Sequence, residues 1–363
     1  MFDNIYSNKN ILITGHTGFK GSWLALWLSQ LGAQITGYSL QPPTDPNHFQ
    51  LHDLHINSVI CDIRNADKLK QVFQEQQPEI VFHLAAQAIV RRSYREPVET
   101  FTSNVLGTIN LLEAARACDS VRAIVIVTSD KCYENKEWFW GYREIDPLGG
   151  YDPYSASKGC AEIVTGCWRN SYFNPKDYGK SHQTLLASAR AGNVIGGGDW
   201  AADRLIPDIM RATAQSQKVT IRNPHATRPW QHVLEPLSGY LLLGQRLLEG
   251  RKEFADAWNF GPSEEENLSV DEIVGQVKAL WPKMDYHIEG SPDQPHEAGL
   301  LRLDCSKARA QLQWAPAWTG SNAVEKTVSW YRNFYETGII LSMDHLHQYV
   351  ADAQNKHIAW AEK

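Results

Sequence analysis

Over the first half of the chain, short apolar runs alternate with longer stretches that carry apolar residues at helical spacing. Ile11–Thr14, Gln34–Tyr38, Ser58–Cys61, Ile80–His83 and Ala123–Thr128 have strand length and are rich in β-branched residues, and Leu185–Ala191 reads as a further buried strand. Between them, Ser22–Leu31, Lys68–Gln76, Thr100–Ala117 and Tyr154–Tyr172 read as helices. Such alternation predicts βαβ units: an α/β fold with a Rossmann-type, doubly wound parallel sheet covered by helices on both faces. After Gly196-Gly197-Gly198-Asp199 the pattern loosens. Helices are expected near Leu205–Gln215, Leu237–Leu248, Val270–Leu280 and Ser321–Thr337, and strands near Val219–Arg222 and at Trp258-Asn259-Phe260. This order predicts two interleaved lobes. Residues 1–195, with roughly 235–262, form the sheet lobe; 196–234 and 263–363 form a smaller, mostly α/β lobe. The polar stretch Asp344–Lys363 fits either a packed helix or a loosely held tail.

The junction of the first strand and helix carries the strongest chemical signal. Gly15-His16-Thr17-Gly18-Phe19-Lys20-Gly21 places three glycines between Ile11–Thr14 and an apolar helical run. Glycines let a backbone approach a pyrophosphate closely, and the N–H groups and dipole of a new helix attract its charge. The spacing is GxxGxxG rather than GxGxxG. A glycine-rich turn at a helix start is common, but its place after an N-terminal strand favours a dinucleotide.

Composition narrows the classes. The 363 residues are 43% hydrophobic, enough for a large core, and the net charge is −6 with no basic block, which argues against nucleic acid. No run of about 18 apolar residues suggests a membrane span. The start Met1-Phe2-Asp3-Asn4 lacks the features of a signal peptide, so a cytoplasmic location is expected. Six cysteines without CxxC pairs, and histidines without ligand spacing beside carboxylates, predict reduced thiols and no metal.

Two further groups fall at predicted strand ends, where doubly wound sheets bind ligands. Tyr154 and Lys158, four apart, share one helical face. A phenol is a poor base at neutral pH, but a nearby ammonium and an oxidised nicotinamide would stabilise its phenolate. A YxxxK pair alone is usually a surface helix; behind a glycine turn and a βαβ sheet it reads as a proton-transfer pair. Ser129-Asp130-Lys131 follows Thr128 at the end of the Ala123 strand. By itself it would be a solvated turn. Beside Tyr154 and Lys158 it supplies more acid–base groups than hydride transfer requires.

Together, GHTGFKG, His83-Leu84-Ala85-Ala86, Asn104-Val105-Leu106-Gly107-Thr108, the strand ending in Ser129, and YSASK resemble the extended short-chain dehydrogenase/reductases that act on nucleotide sugars. The resemblance runs through Arg302-Leu303-Asp304 and Leu312-Gln313-Trp314-Ala315-Pro316. Ser129-Asp130-Lys131 narrows it to the nucleotide-sugar 4,6-dehydratases. Lys131, where dTDP-sugar members carry glutamate, makes the chain most similar to members acting on CDP-glucose. The resemblance implies an NAD-dependent lyase that moves a hydride from C4 to C6 of the sugar and expels water, giving a CDP-4-keto-6-deoxy-glucose. It implies that Tyr154 deprotonates the C4 hydroxyl, Ser129 hydrogen-bonds the same oxygen, and Lys158 tunes Tyr154 and holds the nicotinamide ribose. Asp130 would protonate the departing C6 hydroxyl. Lys131 is the candidate base at C5, the alternative being a cation that only stabilises the enolate.

For the cofactor, the resemblance points to Gly15, Thr17, Gly18, Phe19, Gly21, Ser39, Asp62, Ile63, Leu84, Ala85, Ala86, Asn104 and Thr128, with Tyr154 and Lys158. Asp62 would meet the adenine amino group; Asn104 and Thr128 would orient strand ends near the cofactor. Lys20 either meets the pyrophosphate or is a surface lysine. Gly37-Tyr38-Ser39-Leu40-Gln41 has no acid at the ribose position and no arginine, so NAD is expected over NADP but held weakly. For the sugar nucleotide, Asn193, Arg222 and Arg228 match the diphosphate clamp, Gln87, Arg92 and Ser93 line the sugar pocket, and Arg302 closes the diphosphate end. A homodimer through a four-helix bundle of Thr100–Ala117 and Tyr154–Tyr172 is implied, with pairing of two dimers left open. The competing reading is a nucleotide-sugar 4-epimerase, which needs Ser129, Tyr154 and Lys158 but not Asp130 or Lys131.

Overall fold

The computed structural model describes residues 1–221, 223–262, 268–289 and 299–362. Seven parallel strands form the central sheet: β1 (Asn10–Thr14), β2 (Gln34–Ser39), β3 (Asn57–Ile60), β4 (Ile80–His83), β5 (Ala123–Val127), β6 (Leu185–Ala191) and β7 (Ala257–Phe260). Their spatial order is β7-β6-β5-β4-β1-β2-β3, all pairings parallel. The near-continuous apolar runs of β4, β5 and β6 are buried along their whole length, as strands covered on both faces must be. The order reverses between β1 and β4. The crevice beyond the strand ends at such a reversal is where these sheets bind ligands.

The first helix, α1 (Phe19–Gln30), begins inside the glycine turn rather than at Ser22. Gly18 occupies its N-cap without a side-chain cap, which leaves the first N–H groups for a ligand. α2 (Ala66–Gln76) follows β3. The expected single helix Thr100–Ala117 is instead a compound one. α3 (Val90–Arg95) and α4 (Pro97–Phe101) lead into a π turn at Thr102–Leu106, then α5 (Gly107–Arg116). The widened turn lets Asn104 reach out of the helix and clamp a neighbouring loop, a common use of π turns. α6 (Pro153–Ser171) is started by Asp152, whose carboxylate accepts from Ser155 N, with Pro153 in the first turn.

Beyond β6 come α7 (Leu205–Ala214), α8 (Leu234–Leu248), α9 (Val270–Leu280), α10 (Gly320–Thr337) and α11 (Ser342–Asn355). A short parallel pair, Lys218–Ile221 with Asp285–Ile288, lies among them; Arg222 is outside the described residues. Residues of α7, α9 and α10, including Ile209, Met210, Ile273, Val277 and Trp330, share a hydrophobic cluster distinct from the sheet's. The C-terminal stretch is a packed helix, not a loose tail: Tyr349 and Trp360 sit with Trp27 in the sheet-side core. Glu235, buried on α8, fastens this segment. Its carboxylate accepts from Ala317 N, Trp318 N (2.7 Å) and the Tyr349 hydroxyl (2.7 Å).

Candidate active site

A cleft of about 1110 Å³ opens beyond the strand ends and is walled by residues of the sheet lobe and of the α7–α9–α10 cluster. At its floor lies the glycine turn. Gly15 has φ 79°, and a Cβ there would stand 2.8 Å from Ala85 N; a Cβ on Gly21 would stand 2.1 Å from the Gly15 carbonyl oxygen. Only glycine allows this close stacking of turn, helix start and β4 loop. Thr14 holds that loop, its hydroxyl accepting from Leu84 N and Ala85 N, both at 3.2 Å. The cradle therefore has room for a pyrophosphate where side chains would have filled it, which fits a dinucleotide.

The expected residues Gly15, Thr17, Gly18, Phe19, Lys20, Gly21, Ser39, Asp62, Ile63, Leu84, Ala85, Ala86, Gln87, Arg92, Thr128, Ser129, Asp130, Lys131, Tyr154, Lys158, Asn193 and Arg228 all border this cleft. Lys20 is no surface lysine. It sinks into the wall among Arg204, Lys158 and Asp130, with its amine 6.0 Å from the centre of the Tyr240 ring. Burial, then the like charges of Arg204 and Lys158, bring its amine down to about 7.

Three expected residues do not face the cleft. Asn104 works from behind it: its oxygen accepts from Gln87 N (2.8 Å), and its amide donates to the Gln87 carbonyl (3.0 Å) and Ser157 Oγ (2.8 Å). Ser93 is buried, and its hydroxyl donates back to the Val90 carbonyl (2.6 Å), the usual fate of serine inside a helix. Arg302 borders a separate cavity of about 530 Å³ with Trp138, Trp140 and Pro229. Backbone bonds between Tyr142 and both Arg302 and Asp304 set a register that turns it there. Gln87 is in the wall, but its side chain is engaged by Thr100 and Ile89.

At the inner end, β5 delivers Thr128 and Ser129. Ser129 Oγ donates to Asp130 Oδ1 (3.0 Å) and accepts from Lys131 N (3.2 Å). Asp130 is 2% exposed, and its other oxygen, Oδ2, is buried without a partner. Burial raises the Asp130 carboxyl above its usual range, against the pull of Lys131, Ser129, Arg228 and Lys20. Such a carboxyl is suited to carry a proton and give it up. Burial pushes the Tyr154 phenol up to about 12; a hydrogen bond with Ser129 and the charge of Arg204 oppose this. Lys158 is brought down to about 8 by burial, opposed by Glu162 and Cys132, and its amine donates to the Val127 carbonyl (3.3 Å).

Arg204 belongs to none of the sequence motifs. It lines the cleft, pairs with Asp199 (2.6 Å) and eases ionisation of Tyr154. An arginine directly before the predicted helix at Leu205 was its one trace. At the outer end, Ser39 Oγ and Thr17 Oγ1 share a 2.8 Å hydrogen bond, and Thr17 donates to the Leu40 carbonyl (2.9 Å). The Asp62 carboxylate is engaged by Arg64, which also pairs with Glu99.

The chain as a whole is similar to known proteins. The family model described as GDP-mannose 4,6 dehydratase matches residues 12–327. The chain belongs to that family. Among curated relatives, a CDP-glucose 4,6-dehydratase of Salmonella typhimurium is 52% identical over 332 residues, 91% of this chain and 92% of that one. A dTDP-glucose 4,6-dehydratase of Haemophilus influenzae is 26% identical, covering 89% of this chain and 97% of its own. The crystal structure of a dTDP-glucose 4,6-dehydratase from Bacillus anthracis in complex with NAD superposes with a TM-score of 0.73 at 22% identity, over 91% of this chain and 98% of that one. That last likeness is one of fold.

Proposed function

We propose that this chain is an NAD-dependent lyase that converts CDP-glucose to CDP-4-keto-6-deoxy-glucose and water. The observation that carries this reading is Asp130, a buried carboxyl raised above its usual range, with one oxygen that has no hydrogen-bond partner, next to Ser129 and lining the same cleft as Tyr154. A 4-epimerase has no use for such an acid. The relative acting on CDP-glucose supports the choice of nucleotide.

NAD⁺ bound on the glycine turn supplies the acceptor for the C4 hydride, which is given back at C6. Tyr154 accepts the C4 hydroxyl proton, and Ser129 hydrogen-bonds that oxygen. Arg204 sets positive charge beside the phenol and Lys158 lies one turn further along α6, which favours the phenolate once its proton must leave. The C4 ketone acidifies C5, Lys131 takes the C5 proton and returns one at the end, and Asp130 protonates the C6 hydroxyl so that it departs as water. The hydride returns to the sugar, and the cycle closes when Tyr154 releases its proton to solvent and Asp130 takes one up. Asn193, Arg228 and, outside the described residues, Arg222 are assigned to the diphosphate, with Arg204 added. The two-lobe division, 1–195 with 235–262 for cofactor and 196–234 with 263–363 for the sugar nucleotide, belongs to the same reading.

Incubation with CDP-, dTDP-, GDP- and UDP-glucose tests it. Loss of one water by mass and an alkali-developed 4-keto chromophore are expected with CDP-glucose. A product of unchanged mass would sink the dehydration. We further infer a dimer through α4–α6, because Val98, Leu106, Ile163 and Tyr172 leave apolar side chains exposed there. Ile163→Glu is expected to yield a monomer in sedimentation. Among the described residues no helix is long and apolar enough to cross a membrane.

A further inference from the structure

Of the buried acids that the proton transfers above leave unused, one stands directly behind the catalytic pair. Glu162 lies one turn beyond Lys158 and two beyond Tyr154 on α6, so the three share a face. It is 5% exposed and borders neither cavity. Thr128 Oγ1 donates to one of its oxygens; Ser188 Oγ (2.8 Å) and Arg190 Nη2 (2.7 Å) donate to the other. Arg190 is itself fixed. Its Nη1 donates to the Tyr133 hydroxyl (2.8 Å) and the Glu144 carbonyl (3.1 Å), and Tyr133 donates to Asn259 Oδ1 (2.7 Å). One carboxylate thus ties α6 to β5, β6 and β7.

We propose that Glu162 is a positioning residue for the dehydration. It fixes the Thr128–Ser129 end of β5 against the catalytic helix and sets a negative charge beside the Lys158 ammonium. The proposal rests on reading Tyr154 and Lys158 as the proton-transfer pair. Two facts on geometry support it. Thr128 is bonded to Ser129, so its hydrogen bond to Glu162 sets where the serine hydroxyl emerges. The carboxylate needs a partner at this depth, and Arg190 provides one while being held on its far side by Tyr133 and Glu144. The other ionisable groups facing the pair are Cys132 after β5, His83 from β4, Lys20 from α1 and Arg169 further along α6. Glu162, ahead of Cys132, is the leading influence that favours the charged amine against burial.

Two variants remove the charge. Glu162→Gln keeps the shape but strands the Arg190 guanidinium. Glu162→Met combined with Arg190→Met removes both charges together, an exchange that buried pairs often tolerate. Turnover of CDP-glucose is measured from acid to alkaline pH in each folded variant. The alkaline limb is expected to move down by about one pH unit, and kcat near neutrality to fall about ten-fold with KM nearly unchanged. Glu162→Asp, which keeps the charge, is expected to restore the limb. Thr128→Val is expected to lower kcat without moving it. A wild-type limb in a folded variant lacking the carboxylate, or a wild-type kcat in Thr128→Val, overturns the proposal. Wild-type turnover in the same assay separates that failure from failure of the proposed function.

Discussion

The inner and outer ends of the cleft are built on opposite plans. At the inner end, Thr128, Ser129, Asp130, Tyr154 and Lys158 are all buried and backed by a network reaching β7. At the outer end, Ser39 and Thr17 make neutral hydrogen bonds, and the ion pairs of Arg64 with Asp62 and Glu99 are about one-third exposed. Solvent screens the outer pairs to little net value, whereas a buried charge must be matched or neutralised. On the proposed reading, chemistry is placed where geometry is held from several directions, and the cofactor's far end meets neutral groups and few unpaired charges. The difference predicts that inner substitutions change rates and outer ones change affinity.

The largest expected effect is at the phenol. Tyr154→Phe should lower kcat by about 10³-fold while KM for CDP-glucose changes little, as steady-state assays would show. A comparable rise in KM would place Tyr154 in binding instead. Asp130→Asn should cost about 10²-fold in water loss. Solvent deuterium should still enter C5 in that variant, because the acid acts after C5 is deprotonated, whereas Lys131→Met should stop the exchange; normal exchange in the lysine variant leaves it a stabilising cation only. At the outer end, Ser39→Asp should tighten NAD by about ten-fold, the gain of a charge-assisted over a neutral hydrogen bond, read as Kd by calorimetry. An unchanged Kd would mean that the ribose does not reach this strand end.

The smallest expected effect on activity concerns stability. Glu235 has neutral donors alone at hydrogen-bonding distance, and burial pushes it up to about 7 despite them. A carboxyl whose proton is held more tightly folded than unfolded adds stability that is complete below about 4.5 and fades as pH rises through about 7. Glu235→Gln should therefore flatten the dependence of Tm on pH across that window. An equally sloped curve would assign the dependence elsewhere.

The glycine turn, the Tyr154–Lys158 pair and the Ser129–Lys131 triplet were legible because each is a local spacing that strand or helix geometry converts directly into position. The parallel sheet was legible from its buried runs. What sequence could not carry is long-range. Asn104 was read as a strand-end orienter, and its clamp on Gln87 explains why the helix there opens into a π turn; nothing between 100 and 117 announces it. Arg302 was assigned by its neighbourhood in the chain, but pairing with Tyr142 decides which way it faces. Arg204 and Glu162 belong to no motif. Each gains meaning from an element distant in the chain that packs against it.

Glu162 and Glu235 are equally hidden, yet one has a guanidinium beside it and the other has not. The seam joining α8 to the C-terminal segment is therefore where a shift of pH across neutrality is expected to register, because its buried carboxyl is easier to keep with its proton than without it. Handling conditions would reach that seam through its proton well before they disturbed the Arg190-braced interior behind the catalytic helix.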